Sequence, residues 1–309
     1  MMKALFSFTE LSRIKEFLTT SLLMLLFINF SDAVSASSLP GKVPVVISSQ
    51  WLSENLSSPD LVILHVSTVE RDYNNGHIPG ARFLWPGSLL VSTRYESTVP
   101  ADMKEMRKIL ENLGVTDNSH IVLCGIYGNI IPVCRVFVTL EHIGLAGRVS
   151  ILEGGFEEWK DSGRKISVDQ PVITKGKFQT SVYENLVTCG FVEKILGNKE
   201  YSLIDARAKA SYDGSTGVPR PGHIPGAKNL PATDLYDSKT FHFASQEKLS
   251  AIFKALELTD GSALVLYCNT GNSASVDYVA AVIAGYKPVI FDGSMEEWGS
   301  RFDLPVEKK

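Results

Sequence analysis

The feature that most constrains this chain is that it repeats itself. His77-Ile78-Pro79-Gly80-Ala81 recurs as His223-Ile224-Pro225-Gly226-Ala227, and Thr116-Asp117-Asn118-Ser119-His120-Ile121-Val122-Leu123 as Thr259-Asp260-Gly261-Ser262-Ala263-Leu264-Val265-Leu266. Glu153-Gly154-Gly155-Phe156-Glu157-Glu158-Trp159 then recurs as Asp292-Gly293-Ser294-Met295-Glu296-Glu297-Trp298. Three blocks in one order, each displaced by about 140 residues, mean that one fold is used twice. A length of 309 residues suits two domains better than one core. The expected division is residues 43–167 and 181–305, joined by the polar stretch 168–180, where no strong periodicity survives.

Within each half, short apolar runs alternate with helical ones. Leu61–Val66, Ile121–Leu123 and Val149–Leu152 read as strands whose near-continuous hydrophobicity suits a parallel sheet buried on both faces. Residues 103–113 place Met106, Leu110 and Leu113 on one helical stripe, and residues 245–256 do the same with Leu249, Ile252, Phe253 and Leu256. Such alternation predicts an open α/β sheet with right-handed crossovers, and sites at the carboxyl ends of its strands.

The N-terminus has Lys3, Arg13 and Lys15, then an apolar stretch from Phe17 to Phe30, then Ala33-Val34-Ser35-Ala36. That order predicts a secretory signal peptide, residues 1–36, cleaved after Ala36. The apolar stretch is short for a bilayer-spanning helix, which needs about 20 residues. The expected location is periplasmic or secreted, with no stable membrane association after cleavage.

A formal net charge of −4 without any Lys/Arg block argues against nucleic acid as a partner, since phosphate binding needs concentrated positive charge. A small-molecule substrate is expected. The four cysteines, 124, 134, 189 and 268, have unrelated spacings that fit neither a disulfide scaffold nor a paired zinc site, so no metal ligand set is expected. Whether Cys124, Cys134 or Cys189 pair in a disulfide is left open.

Cys268 stands apart. It follows the apolar run Leu264-Val265-Leu266-Tyr267 and opens the loop Asn269-Thr270-Gly271-Asn272-Ser273 before a helical run from Ala274 to Ala284. Small and polar residues at a strand-to-helix turn can direct successive N–H groups inward as an anion-binding nest, helped by the positive end of the helix. Such a cradle holds negative sulfur and is expected to lower the Cys268 pKa below the ordinary value of about 8.5. Aligning Thr116 with Thr259 sets Gly125 opposite Cys268, Gly128 opposite Gly271 and Asn129 opposite Asn272. The first copy therefore lacks the nucleophile. Cys124 falls opposite Tyr267, one place too early for catalysis, and Cys134 and Cys189 read as core thiols.

The Gly222-to-Ala227 block, the Asp205-Ala206-Arg207 strand end, the six-residue loop opened by Cys268 and the closing Gly293-to-Trp298 block together resemble the tandem-domain rhodaneses, the thiosulfate and 3-mercaptopyruvate sulfurtransferases. The resemblance covers nearly all of the chain after residue 36. It implies an α/β fold of two tandem rhodanese-like domains, each an open, mainly parallel sheet with helices on both faces, the first an inactive copy and the second catalytic. It also implies transfer of a sulfane sulfur from thiosulfate to cyanide or a thiol through a Cys268 persulfide, without a metal or organic cofactor. Substrate is then held by Arg220, Asn269, Thr270, Gly271, Asn272 and Ser273, with Asp205 and Arg207 as an ion pair bracing the loop. Arg220 lies in the 214–221 insertion that only the second copy has, where mercaptopyruvate enzymes look to carry a substrate arginine. Their other substrate arginine matches Ser211, and the aspartate they place on the first domain matches His65. These departures favour thiosulfate over mercaptopyruvate. His77 and His223, present in both halves, are expected to fix turns, and Trp159 and Trp298 to be core. Two other readings stand beside this one: a 3-mercaptopyruvate sulfurtransferase, and a non-enzymatic periplasmic persulfide carrier. A phosphatase of the Cys-x5-Arg kind is disfavoured because Ala274 occupies the arginine's place.

Overall fold

The computed structural model describes residues 43–309 apart from 94–95, 127–128 and 217–219. The expected export segment and Gly128 lie outside the described residues. The first half builds β1 (Val46–Ile47), α1 (Ser49–Asn55), β2 (Leu61–Val66), α2 (Glu70–Asn75), β3 (Arg82–Leu84), the small hairpin β4 (Leu90–Val91) and β5 (Val99–Pro100), α3 (Met103–Asn112), β6 (His120–Cys124), α4 (Ile130–Leu140), β7 (Val149–Leu152) and α5 (Gly155–Asp161). The second builds β8 (Leu186–Val187), α6 (Cys189–Ile195), β9 (Tyr201–Asp205), α7 (Lys209–Tyr212), β10 (Lys228–Asn229), α8 (Gln246–Ala255), β11 (Ala263–Tyr267), α9 (Asn272–Ile283), β12 (Val289–Phe291) and α10 (Ser294–Ser300).

The two main sheets have the same topology. One runs β1-β7-β6-β2-β3 and the other β8-β12-β11-β9-β10, every neighbouring pair parallel. The inner strands β2, β6, β7 and β11 are buried on both faces, which is why they read as continuous apolar runs rather than alternating ones. Helix starts follow local chemistry: Ser48, Asp102, Thr188 and Ser245 cap α1, α3, α6 and α8 by accepting from backbone N–H groups of the first turn. Met106 and Leu110 of α3, and Leu249 and Phe253 of α8, are fully buried, as their spacing predicts.

The repeated His-Ile-Pro-Gly blocks form matching turns. Pro79 and Pro225 start them, Gly80 (φ 80°) and Gly226 (φ 78°) supply the left-handed residue that a type II turn needs, and Ala81 and Ala227 close back onto Ile78 and Ile224. His77 Nδ1 lies 2.9 Å from the Tyr73 carbonyl and its ring stacks on Tyr73 at 3.9 Å; His223 repeats this with Tyr212 at 2.7 Å and 3.8 Å. Both histidines therefore fix turns, and Trp159 and Trp298 are buried core residues.

The halves are not separate beads. Helices α4 and α9 pack against each other, and one continuous apolar core contains Val136 and Phe137 of the first half together with Val276 and Tyr278 of the second. Asn185, fully buried, donates to the Val138 carbonyl at 3.0 Å while its own carbonyl accepts from Ile290 N–H at 2.8 Å. The connecting residues 163–185 contain no helix or strand, yet Phe178 is buried within them and Gln179 N–H donates to Asp117 at 2.8 Å. No helix among the described residues is long and apolar enough to cross a membrane.

Candidate active site

Cys268 immediately follows β11, at the carboxyl end of the central strand, and α9 begins four residues later. Gly271 caps that helix with φ 79°, a left-handed conformation that disfavours other residues. Space is equally restrictive, since a Cβ there would lie 2.8 Å from Asp292 Oδ1. The turn it makes points the N–H groups of Thr270, Ser273 and Ala274 at the Cys268 sulfur. This is the nest the loop composition predicts, with Ala274 as a donor that sequence reasoning missed.

The remaining loop groups hold the nest rather than line it. Ser294 Oγ accepts from Cys268 N–H at 3.1 Å and from Gly271 N–H at 3.0 Å, and donates to the Phe291 carbonyl at 2.9 Å. Gly271 thus binds no anion through its own N–H; it shapes the turn. Met295 and Glu296 N–H groups at the start of α10 hold the carbonyls of Cys268 and Asn269 at 3.1 and 2.9 Å. Asn272 Nδ2 donates to Thr270 Oγ1 at 3.1 Å, so the threonine hydroxyl accepts within the loop and keeps its own O–H to donate. Ser294 itself sits at φ 49°, an uncommon conformation for a non-glycine residue, where the first copy has Gly155 at φ 59°. That serine-for-glycine difference within the repeat was the signal for it.

The sequence reading of a depressed Cys268 pKa is corrected by burial. The side chain is only 2% exposed, and loss of solvent pushes the thiol above its ordinary value, aided by nearby Asp205, while the three N–H groups pull the other way. The nest offsets part of the desolvation penalty without reversing it.

Asp205 and Arg207 pair as expected. Arg207 Nε lies 2.9 Å from Asp205 Oδ1, its Nη2 2.5 Å from Oδ2, and the same Nη2 donates to the Gly222 carbonyl at 2.7 Å. The pair is buried and ties the end of β9 to the Gly222 turn, so it braces the loop's surroundings. Arg220 is placed differently from the expected substrate clamp. Its Nη1 and Nη2 donate to the carbonyls of Arg301 and Leu304 at 2.6 and 2.7 Å, and its guanidinium lies over the Phe302 ring at 5.5 Å. An arginine with the right charge is thus committed to two backbone carbonyls of the C-terminal segment. Ser211, opposite the other expected arginine, contacts Thr216 at 3.4 Å.

The first copy differs where chemistry would occur. Tyr267 pairs in register with Asp205, and Cys124 with His65, so Cys124 occupies Tyr267's place. Gly125 is the counterpart of Cys268: its carbonyl accepts from Phe156 N–H at 2.9 Å as Cys268's accepts from Met295. A Cβ on Gly125 would come 2.7 Å from Val133 Cγ2, so a side chain at this position would require Val133 to shift. Burial and Glu157 push the Cys124 thiol far above its ordinary value. His65 is fully buried, with neither ring nitrogen hydrogen-bonded among the described residues, edge-on to Tyr73 and Phe156; burial, reinforced by His77, lowers its pKa to about 4. Cys134, Cys189 and Cys124 are all free and buried.

The rhodanese-like domain family matches residues 48–162 and 189–301. Among curated proteins, the chain is 29% identical over 285 residues to the sulfur carrier protein TtuD of Thermus thermophilus, covering 85% of this chain and 96% of that protein. It is 28% identical over 277 residues to the 3-mercaptopyruvate sulfurtransferase of Escherichia coli, covering 84% and 97%. Among solved structures, the anaerobic ergothioneine biosynthesis enzyme of Chlorobium limicola superposes with a TM-score of 0.74 at 22% identity, covering 85% of this chain and 70% of that one. With both halves matched, the chain belongs to the rhodanese-like family as a tandem of two such domains.

Proposed function

We propose that this protein is an exported sulfurtransferase working by double displacement through Cys268. The observation that carries the reading is the convergence of the Thr270, Ser273 and Ala274 N–H groups on one buried cysteine sulfur. Cys268 thiolate attacks the outer sulfur of thiosulfate; the S–S bond breaks and its electron pair leaves with sulfite, a weakly basic departing group. The outer persulfide sulfur is then attacked by cyanide or a thiol, and the electron pair of the Cys268 S–S bond returns to the cysteine. The N–H donors stabilise sulfur anion at both stages without cofactor chemistry.

Thiosulfate is the favoured donor. Mercaptopyruvate needs its carboxylate and keto group fixed, and the positions where arginines would do this hold Ser211 and an Arg220 committed to the Arg301 and Leu304 carbonyls. A compact dianion asks only for the cradle. Steady-state kcat/KM with both donors and cyanide tests the choice: a mercaptopyruvate value roughly tenfold higher, about 1.4 kcal/mol of transition-state binding, reverses it. The similarity to a protein named as a sulfur carrier favours a second reading, persulfide carriage without turnover. Donor treatment followed by mass spectrometry gives one added sulfur atom on Cys268 under either reading, and thiocyanate turnover at saturating cyanide separates them. Export rests on the charged start, short apolar core and small-residue cleavage site; N-terminal sequencing from the native host should give Ser37, and an intact Met1 on soluble protein would overturn it.

A further inference from the structure

Arg135 stands in the apolar run Ile130–Leu140 of the first domain, the lone charge in α4, and is 1% exposed. A guanidinium is not buried there for packing alone, because removing a charge from water is expensive unless it is paired. Its charged partner belongs to the other domain, beside the Cys268 loop, and its carbonyl partner to its own domain. Nη1 lies 2.7 Å from Asp292 Oδ1, and the same Nη1 would lie 3.3 Å from a Cβ placed on Gly271. Its Nη2 donates to the Thr98 carbonyl, while Thr98 Oγ1 donates to the Thr270 carbonyl at 2.7 Å. Arg135 Nε and Nη1 and Asp292 Oδ1 have no aligned hydrogen-bond partner among the described residues, so the two side chains are held together as a close ion pair, by charge. The first domain therefore reaches the cradle from behind through one cation and one hydroxyl.

We propose that Arg135 is a positioning residue of the Cys268 cradle, its charge cancelling that of Asp292 beside Gly271 so that the loop meets an anion without a competing carboxylate. The proposal rests on Cys268 being the reactive thiol. Other charges face the same region. Asp205, neutralised by Arg207, comes from the end of β9, while the Tyr267 phenol from β11 stays neutral because burial pushes its pKa well above the ordinary value. Glu96 approaches Asp292 from the β4–β5 hairpin, where burial and that carboxylate hold its own carboxyl above the ordinary range, and Glu296 comes from α10 with its carboxylate on Ser97. In this acidic setting Arg135 is the cation in direct contact with Asp292. The inactive copy then has a task that explains why α4 and α9 share a core.

Iodoacetamide alkylation of Cys268 in the full chain, followed peptide by peptide against pH, tests this without any sulfur donor. Failure of sulfur transfer would therefore leave the result standing, and the reverse also holds. Arg135→Gln should raise the alkylation midpoint by roughly one unit, a loss of about tenfold in thiolate at neutral pH. Arg135→Lys should keep the midpoint close to that of the unaltered protein, and adding Asp292→Asn to Arg135→Gln should bring it back. Should Arg135→Gln fail to fold, Asp292→Asn alone carries the test and should lower the midpoint, because the guanidinium is then uncompensated. An unchanged midpoint in folded Arg135→Gln, no recovery in the double variant, or an unchanged or raised midpoint in Asp292→Asn overturns the proposal.

Discussion

Cys124 and Tyr267 occupy the same place in the two halves, each the last residue of its strand and each in register with the residue that closes the neighbouring strand, His65 and Asp205 respectively. A thiol at the last strand position is embedded in the sheet; a thiol one residue later lies in the turn, where the backbone N–H groups converge. Cys268→Ser should thus abolish thiocyanate formation with near-unchanged thermal stability, while Cys124→Ser retains close to full activity. Activity surviving in Cys268→Ser and disappearing in Cys124→Ser would refute the register argument.

Because burial outweighs the three N–H donors, the Cys268 thiol titrates above its ordinary range. The fraction of thiolate, and with it the alkylation rate, should keep rising with pH past about 8.5 rather than levelling below it. The same sign applies to the donor half-reaction measured as kcat/KM for thiosulfate. A plateau by neutral pH would mean that the cradle dominates after all.

Ser294 satisfies two buried amides at once, those of Cys268 and Gly271. In Ser294→Ala both lose their acceptor, and a buried donor left unsatisfied costs about 1–3 kcal/mol. Urea unfolding should show a loss on that scale, and kcat should fall because the freed amides no longer fix the turn. Ser294→Gly, which removes the hydroxyl but relaxes the left-handed backbone, should be less destabilised than Ser294→Ala and equally slow. A Ser294→Ala protein with wild-type kcat would show that the loop holds its shape unaided.

The sequence carried the fold well because the periodicities are local. The apolar runs at Leu61–Val66 and Val149–Leu152 are strands with those very bounds, and the run read as a helix from Ala274 starts at Asn272 only because the Gly271 turn admits it earlier. What escaped it was long-range. Ser294 is 23 residues from Gly271, Arg135 is in the other domain, and both are identified by partners rather than by neighbours in sequence. Arg220 shows the converse error: its charge and its place in an insertion suited a clamp, but two backbone carbonyls of the C-terminal segment claim it. The sign of the Cys268 shift failed for a related reason, since motif chemistry counts donors but cannot weigh the solvent lost on folding.

His65 gives a stability prediction confined to the first domain. Its folded pKa, lowered to about 4 from 6.5, means that the native state resists a proton the unfolded chain accepts. Stability from this residue is fully present above about 6.5 and is lost progressively as pH falls from there toward 4. A displacement of this size corresponds to about 3.5 kcal/mol at most, because each unit is worth about 1.4 kcal/mol. His65→Phe retains an aromatic between Tyr73 and Phe156 and removes the titration, so the difference in urea midpoint between the two proteins should shrink or reverse in favour of the variant as pH is lowered from 7 to 4.5. Cys268 alkylation, in the other sheet, should keep the same pH profile in both proteins. If the two proteins lose stability in parallel over that range, His65 is protonated as readily in the folded chain as in the unfolded one, and its burial without hydrogen-bond partners is wrong.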